Sequence, residues 1–461
     1  MLGFFYYSKF QDKYLLTNDA GRFAFLSEVE FGRLINLSLS EDTPIYQELE
    51  EKGFVYSCSK EEYIRDHIHL IRDNNRYLFS GTNLFIIAVT NACNNRCVYC
   101  QANGLANARN MDKEVAEQAL QRISECSAEE ITIEFQGGEP LLNFPIIRYF
   151  VERARIIMPH KTVQFAIVSN LGLLNDEIID FLKENRISIS TSLDGPVELH
   201  DSNRPDSQGN GTYDNTVNGR KRLAYKGIVC GAIQTTTRKS LTRAKEIVRE
   251  YVERGYEYIF LRPLSRLGAA ARNWDLIGYS AEEYLVFYRR ALQEIIEVNR
   301  EGKKLKEYYA SIFLSKMFNS RGVNYMELRS PCGAGLGQVA ITANGNVYTC
   351  DEGRMMAEAG DESFLIGNVF KDSYSQWIQS SGCQAVCSAS LLDTLPGCCD
   401  CVFKPYCGVC PVVNYALHGN ISHVNPEKCK INKGIMSILL EYITEGDPFI
   451  LDLFMRWGEE A

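Results

Sequence analysis

The sequence predicts an α/β protein: an open, partial (β/α)6 barrel, preceded by a small winged-helix-like unit and followed by a cysteine-rich region and a C-terminal helix. Three observations carry this. Apolar β-type runs alternate with amphipathic helical stretches six times between residues 84 and 261, the pattern of parallel βα units. A hairpin signal followed by helix signals stands before them. Ten of the 16 cysteines crowd between Cys332 and Cys429, where apolar periodicity fades.

At the N-terminus, Lys13–Leu26 reads as two short strands around an Asn-Asp-Ala-Gly turn in which Gly21 takes a positive φ. Helices are expected over Ser27–Leu39 and Thr43–Phe54, the second started by Asp42 or Thr43 and closed by Gly53. The unit spans residues 1–75. The barrel, residues 80–320, has expected strands at Leu84–Thr90, Ile131–Phe135, Val163–Val168, Ile187–Leu193, Ile228–Thr235 and Tyr258–Leu261. Helices lie between them at Lys113–Ser127, Pro145–Met158, Asp176–Asn185 and Leu241–Arg254. In such folds ligands bind at the carboxyl ends of the strands, so chemistry is sought there. Residues 325–430 form the cysteine-rich region, expected to be held by metal where its own core is small. Residues 431–461 read as one terminal helix with Ile435, Ile438, Leu439 and Tyr442 on one side.

With 461 residues and 45% hydrophobic content the chain buries a sizeable core. A net charge of −9 and a pI near 5.4 argue against broad attraction to nucleic acid or anionic lipid. The basic run Gly219–Lys226 is expected to be a solvated helix face. No apolar stretch approaches the roughly 18 residues of a membrane span, and no export signal is recognisable, so a cytoplasmic location with reduced thiols is expected.

The first cysteine group, Cys93-x3-Cys97-x2-Cys100, follows the first barrel strand directly. Three thiolates on one loop hold three irons of a 4Fe–4S cluster and leave the fourth open to a small ligand. Zinc is the competing occupant, but zinc loops close four positions and no fourth Cys or His lies nearby. Gly137-Gly138-Glu139-Pro140 ends the second strand, Ser169-Asn170 the third, and Ser192-Leu193-Asp194-Gly195 the fourth, with Arg204 twelve residues after Ser192.

These motifs, in this order, resemble the radical S-adenosylmethionine (SAM) enzymes. The resemblance implies that Cys93, Cys97 and Cys100 carry the cluster that cleaves SAM. It also implies that the Gly137–Pro140 motif contacts the methionine amino group, that Ser169 and Asn170 contact the ribose, and that Ser192 and Arg204 hold the methionine carboxylate by a charge-assisted pair. Tyr99, Asp194 and Arg262 join the implied cofactor-binding set.

The second constellation is Cys332-x12-Gly345-x4-Cys350, then Cys398-x2-Cys401-x5-Cys407-x2-Cys410, then Cys429. It is similar to the seven-cysteine SPASM extension of radical SAM maturases, which carries two auxiliary 4Fe–4S clusters, for three clusters in all. The family's last pair is Cys-x3-Cys and here it is Cys-x2-Cys, which leaves the partition of ligands open. Carried over, Cys332, Cys350 and Cys410 serve one cluster with an iron free, and Cys398, Cys401, Cys407 and Cys429 close the other. A zinc ribbon is the alternative for the CxxC pairs. Cys58, Cys126 and Cys230 read as inert buried thiols. Whether Cys383, Cys387 or Cys399 ligates a cluster stays open.

Within this family the runs Ile133–Phe144, Ser190–Pro196, Phe260–Ser265 and Cys350–Met355 resemble the maturase of the His-Xaa-Ser peptide system. The resemblance implies a radical SAM oxidoreductase that takes a hydrogen atom from a side chain of a ribosomally made precursor peptide and closes a new bond oxidatively. It further implies an external one-electron reductant of flavodoxin or ferredoxin type and leader-peptide binding by the N-terminal unit through strand addition. Whether a second maturase takes part stays open. Tyr213, Gln234, Arg262 and Arg266 are candidates to line the substrate cavity, with packing roles as the alternative. Two other functions compete: a SPASM sulfatase maturase making formylglycine, with Asp351 as its catalytic acid, and a non-catalytic partner that binds a leader and passes electrons.

Overall fold

The computed structural model describes residues 1–102, 108–319 and 328–459. The expected boundary between barrel and cysteine-rich region, 320–325, lies outside the described residues.

Strands β1 (Tyr6–Phe10), β2 (Lys13–Thr17) and β3 (Phe23–Ser27) form an antiparallel sheet in the order β1-β2-β3. The expected hairpin is its second half, with Gly21 at φ +78. The sequence reading missed β1, whose Tyr-Tyr-Ser-Lys-Phe is mostly exposed and so carries no clear alternation. Ser27 then caps Glu28–Ile35 in a reciprocal capping box with Glu30, and Thr43 caps Pro44–Glu51. A third helix, Lys60–Asn74, completes the unit. This unit docks on the cysteine-rich region: Thr17 Oγ1 donates to the Val402 carbonyl at 2.6 Å and Tyr406 Oη to the Gly21 carbonyl at 3.1 Å.

Strands β4 (Leu84–Thr90), β5 (Glu130–Gly137), β6 (Thr162–Val168), β7 (Ser188–Ser192), β8 (Cys230–Thr235) and β9 (Tyr258–Arg262) are parallel and adjacent in chain order, the open barrel. Outward side chains such as Ile131, Ile133 and Phe135 of β5 pack under the helices Lys113–Ser124 and Phe144–Ile157. The sheet does not stop at six strands. β10 (Lys306–Glu307) extends it beside β9, while β11 (Gln338–Ile341) pairs in parallel with β4 and leads into antiparallel β12 (Asn346–Tyr348) and β13 (Leu365–Asn368). The cysteine-rich region therefore continues the barrel sheet, covering the otherwise open β4 edge.

The expected single terminal helix is two helices, Pro426–Glu445 and Pro448–Glu459. Gly446, in the left-handed region at φ +72, and Pro448 break the run, since neither suits a helix interior. The first packs on Ala281–Arg300 and the second on Tyr308–Phe318, in one core with β9. The basic run lies on the helix Tyr213–Tyr225, where Arg222 pairs with Asp176 at 2.8 Å and the following Lys226 with Asp180 at 2.6 Å. Among the described residues no helix is long and apolar enough to cross a membrane.

Candidate active site

The loop carrying Cys93, Cys97 and Cys100 is stitched down from both sides. Gly138 N donates to the Thr90 carbonyl at 2.9 Å and Glu139 N to the Ala92 carbonyl at 2.8 Å. Both glycines are required at this crossing: a Cβ on Gly137, at φ +138, would meet Thr90 O at 1.9 Å, and one on Gly138 would meet Ala92 O at 2.0 Å. On the far side Arg96 N and Val98 N donate to the carbonyls of Pro205 and Asn203. Burial pushes the Cys93 thiol up to about 11 and the Cys100 thiol up to about 12, and raises Cys97 as well. Iron binding reverses that preference, because the metal's charge stabilises the thiolate.

Glu139 is buried, and burial raises its carboxyl above the ordinary range against three donors. Ser169 Oγ and Leu141 N donate to its Oε1 at 2.7 and 3.1 Å, and Asn170 N to its Oε2 at 2.8 Å. One carboxylate thus ties the second strand end to the third. Asp194 lies deeper than the sequence reading placed it. Its fully buried carboxylate accepts from Tyr99 Oη at 2.8 Å, Asn203 Nδ2 at 3.0 Å and Thr235 N at 3.3 Å, and it lines no part of the cavity described below. Arg204 Nη1 donates to Tyr99 Oη at 2.9 Å. Burial acts against the Arg204 charge, but Cys97, Tyr99 and Asp194 hold it above its ordinary value. Its Nε is buried without a hydrogen-bond partner, so one cationic donor remains for an anionic group.

These elements surround a cavity of about 620 Å3. Cys93, Cys97, Tyr99 and Cys100 line it with Gly137, Gly138, Glu139, Ser169, Asn170, Ser192, Arg204 and Arg262. Cys332, Cys350, Cys410 and Asp351 line it as well. Cys350 lies within electrostatic reach of Cys332 and Cys410, and burial raises it well above the ordinary thiol. Asp351 is oriented by the fully buried Arg354, whose Nε and Nη2 reach its Oδ1 at 2.8 and 2.6 Å. Pro140 stands behind this surface, turning the chain into the next helix.

Cys398, Cys401, Cys407 and Cys429 line an adjoining cavity of about 710 Å3, together with Lys428 and Lys433; Cys410 lines both cavities. Cys398 and Cys407 each lie within electrostatic reach of Cys401 and Cys429. Among the described residues no three His, Cys, Asp or Glu side chains are gathered as tightly as a single metal ion needs. Cys383 and Cys387 hydrogen-bond each other on the helix Ser381–Ala389 and line neither cavity, and Cys399 is exposed.

Of the candidates for the substrate cavity, Arg262 lines it and Arg266 lines the other, stacked 5.2 Å over Trp274. Tyr213 is spent on Glu250, and Gln234 on Asp194 O and Thr236, so both are packing residues. Glu134 and Gln136 were missed. They alternate with Ile133 and Phe135 on β5 and face the cavity, where Gln136 Nε2 donates to Glu134 Oε1 at 2.5 Å and burial raises the Glu134 carboxyl. The period-two pattern before Gly137 was the available signal.

The radical SAM superfamily profile matches residues 87–238, the segment that carries the first three thiols and the strand-end motifs. An uncharacterised protein of Methanocaldococcus jannaschii is 30% identical over 231 residues, 50% of this chain and 74% of that one. The chain belongs to the radical SAM superfamily. A cysteine-type anaerobic sulfatase-maturating enzyme of Clostridium perfringens is 25% identical over 284 residues, 58% of this chain and 74% of that one. Two solved structures share the fold. The anSMEcpe enzyme with bound AdoMet has a TM-score of 0.70 at 18% identity, over 81% of this chain and 99% of that chain. Streptococcus suis SuiB bound to its precursor peptide SuiA has a TM-score of 0.55 at 15% identity, over 91% and 97%. This radical SAM enzyme is therefore similar in sequence to a sulfatase-maturating enzyme and shares its fold with a precursor-peptide-bound protein, and superfamily membership implies SAM and one 4Fe–4S cluster.

Proposed function

We propose that this radical SAM enzyme modifies a ribosomally made precursor peptide, as a maturase of the His-Xaa-Ser type, and carries two auxiliary 4Fe–4S clusters besides the SAM-cleaving one. The observation that carries the reading is one cavity lined both by Cys93, Cys97 and Cys100 and by Cys332, Cys350 and Cys410. The donor set fits the groups: three thiols on a stitched loop for the first cluster, and an unpartnered Arg204 Nε for the SAM carboxylate. When bound and reduced, the first cluster with SAM supplies a 5′-deoxyadenosyl radical that removes one hydrogen atom from a substrate side chain. The chain's own part is placement. Glu139 sets Ser169 and Asn170, Asp194 sets Tyr99 and through it Arg204, and Arg354 aims Asp351 into the cavity to take the proton lost as the new bond closes.

The remaining electron leaves toward the set Cys398, Cys401, Cys407 and Cys429 and then to an external carrier. The N-terminal sheet holds the leader by adding it as a strand, which raises the effective concentration of the core peptide at the cavity. Incubating the reconstituted enzyme with candidate precursors, with and without their leaders, tests this by mass spectrometry. The expected product lacks two hydrogens, and leaderless peptide reacts only at high concentration. Formylglycine instead favours the second reading, a sulfatase maturase, to which Asp351 directly after Cys350 also lends itself. Equal rates with and without leader assign the N-terminal unit to packing.

A further inference from the structure

The surroundings of Cys407 are built beyond what holding a cluster needs. Asn432 Nδ2 lies 3.6 Å from Cys407 Sγ, and Asn432 is 1% exposed. Which end of that amide faces the sulfur is set by a chain of donors. Lys428 Nζ, which can only donate, lies 3.0 Å from Tyr309 Oη. The Tyr309 hydroxyl, accepting there, turns its one proton to Asn432 Oδ1 at 3.0 Å. The amide oxygen is thereby engaged, and the N–H end points at the sulfur. Lys316 also lies within electrostatic reach of the Cys407 thiol, its Nζ donating to the carbonyls of Leu328 and Tyr406. Burying an amide, a phenol and an ammonium costs free energy unless each is paired, and here each is paired in one orientation.

We infer that the Lys428–Tyr309–Asn432 relay, together with Lys316, raises the reduction potential of the cluster held by Cys398, Cys401, Cys407 and Cys429. The inference rests on the cluster assignment proposed above. An N–H donor to a ligating sulfur and a nearby positive charge both stabilise the reduced, more negative cluster over the oxidised one. The consequence is directional. A one-electron oxidation of the substrate-derived radical in the barrel cavity reduces this cluster by one electron, which then passes to the external carrier. A raised potential draws that electron away from the cavity and from the cysteines that serve SAM.

EPR-monitored redox titration of the reconstituted full-length enzyme tests it. Asn432→Leu removes the N–H donor, and Asn432→Asp replaces it with an acceptor of the same shape. Tyr309→Phe frees the amide to turn, and Lys316→Met removes the charge. All four should lower the potential of one cluster, Asn432→Asp most and Tyr309→Phe least, while the potential of the SAM-binding cluster stays in place. Unchanged potentials in variants with full iron overturn the relay and leave the cluster assignment standing. A wild-type enzyme that never holds a cluster at these four cysteines overturns both.

Discussion

The barrel and the cysteine-rich region both place thiols, by opposite means. In the barrel, Cys93, Cys97 and Cys100 hang on a loop tied by backbone hydrogen bonds to Gly138, Glu139, Asn203 and Pro205, above an extensive apolar core. In the cysteine-rich region Val339, Ile341, Val347, Ile366, Val369 and Trp377 join the barrel core, but around the thiols themselves the apolar packing is thin. Cys332 and Cys350 pack with Ala334, Phe364, Val386 and Val412, and Cys398 and Cys407 flank a cluster of only Leu392, Leu395 and Val409. A scaffold with its own core holds an open site rigidly with or without its metal. A segment packed mainly around its own ligands depends more on metal to hold its shape.

Replacing Cys93, Cys97 and Cys100 together by Ala cuts this comparison most deeply. Production of 5′-deoxyadenosine should vanish while thermal unfolding of the barrel changes little, and iron should fall by about a third from roughly 12 per chain. A collapsed barrel in that variant breaks the comparison, and continued SAM cleavage shows the active cluster to be elsewhere. Iron chelation under reducing conditions should act locally. Limited proteolysis is expected to open cleavage sites between Cys332 and Cys429 while strands β4 to β9 stay protected. Uniform loss of protection across the chain means the two regions fold as one.

A smaller effect belongs to the barrel alone. Glu307 is fully buried at the start of Tyr308–Phe318, where Tyr288 Oη donates to it at 2.7 Å, and burial raises its carboxyl from 4.5 to about 7. The folded state keeps a proton that the unfolded chain releases, so this contribution is complete below about pH 4.5 and is lost as pH rises through about 7. The span corresponds to at most about 3 kcal/mol. Glu307→Gln should flatten the pH dependence of unfolding, measured by denaturant titration at pH values on either side of that window. An unchanged slope assigns the dependence to other groups.

Much of the site was legible before any coordinates because radical SAM motifs are local. Cys93-x3-Cys97-x2-Cys100 and Gly137-Gly138-Glu139 lie at the ends of strands whose period marks them, and a loop's chemistry is written in a few adjacent residues. The barrel strands β4 to β9 were readable for the same reason, their apolar alternation being a property of neighbours in sequence. β1 was not, because an exposed edge strand needs no alternation.

What the sequence by itself determined is the kind of chemistry and the order of its parts: three thiols, four strand ends, then seven more cysteines in fixed succession. Tertiary structure alone decided which of those parts meet. Asp194 lies behind Tyr99 and Tyr213 turns away to Glu250, while Glu134 faces inward and Cys332, Cys350 and Cys410 line the same cavity as the first loop. The β4 edge receives β11 from more than two hundred residues away, and Tyr309 on one helix engages Lys428 and Asn432, one turn apart on another, so that Asn432 meets Cys407. Such contacts depend on register and packing between elements far apart along the chain. No local pattern records them, because each residue's own helix, strand or turn is equally satisfied whichever distant partner it finds.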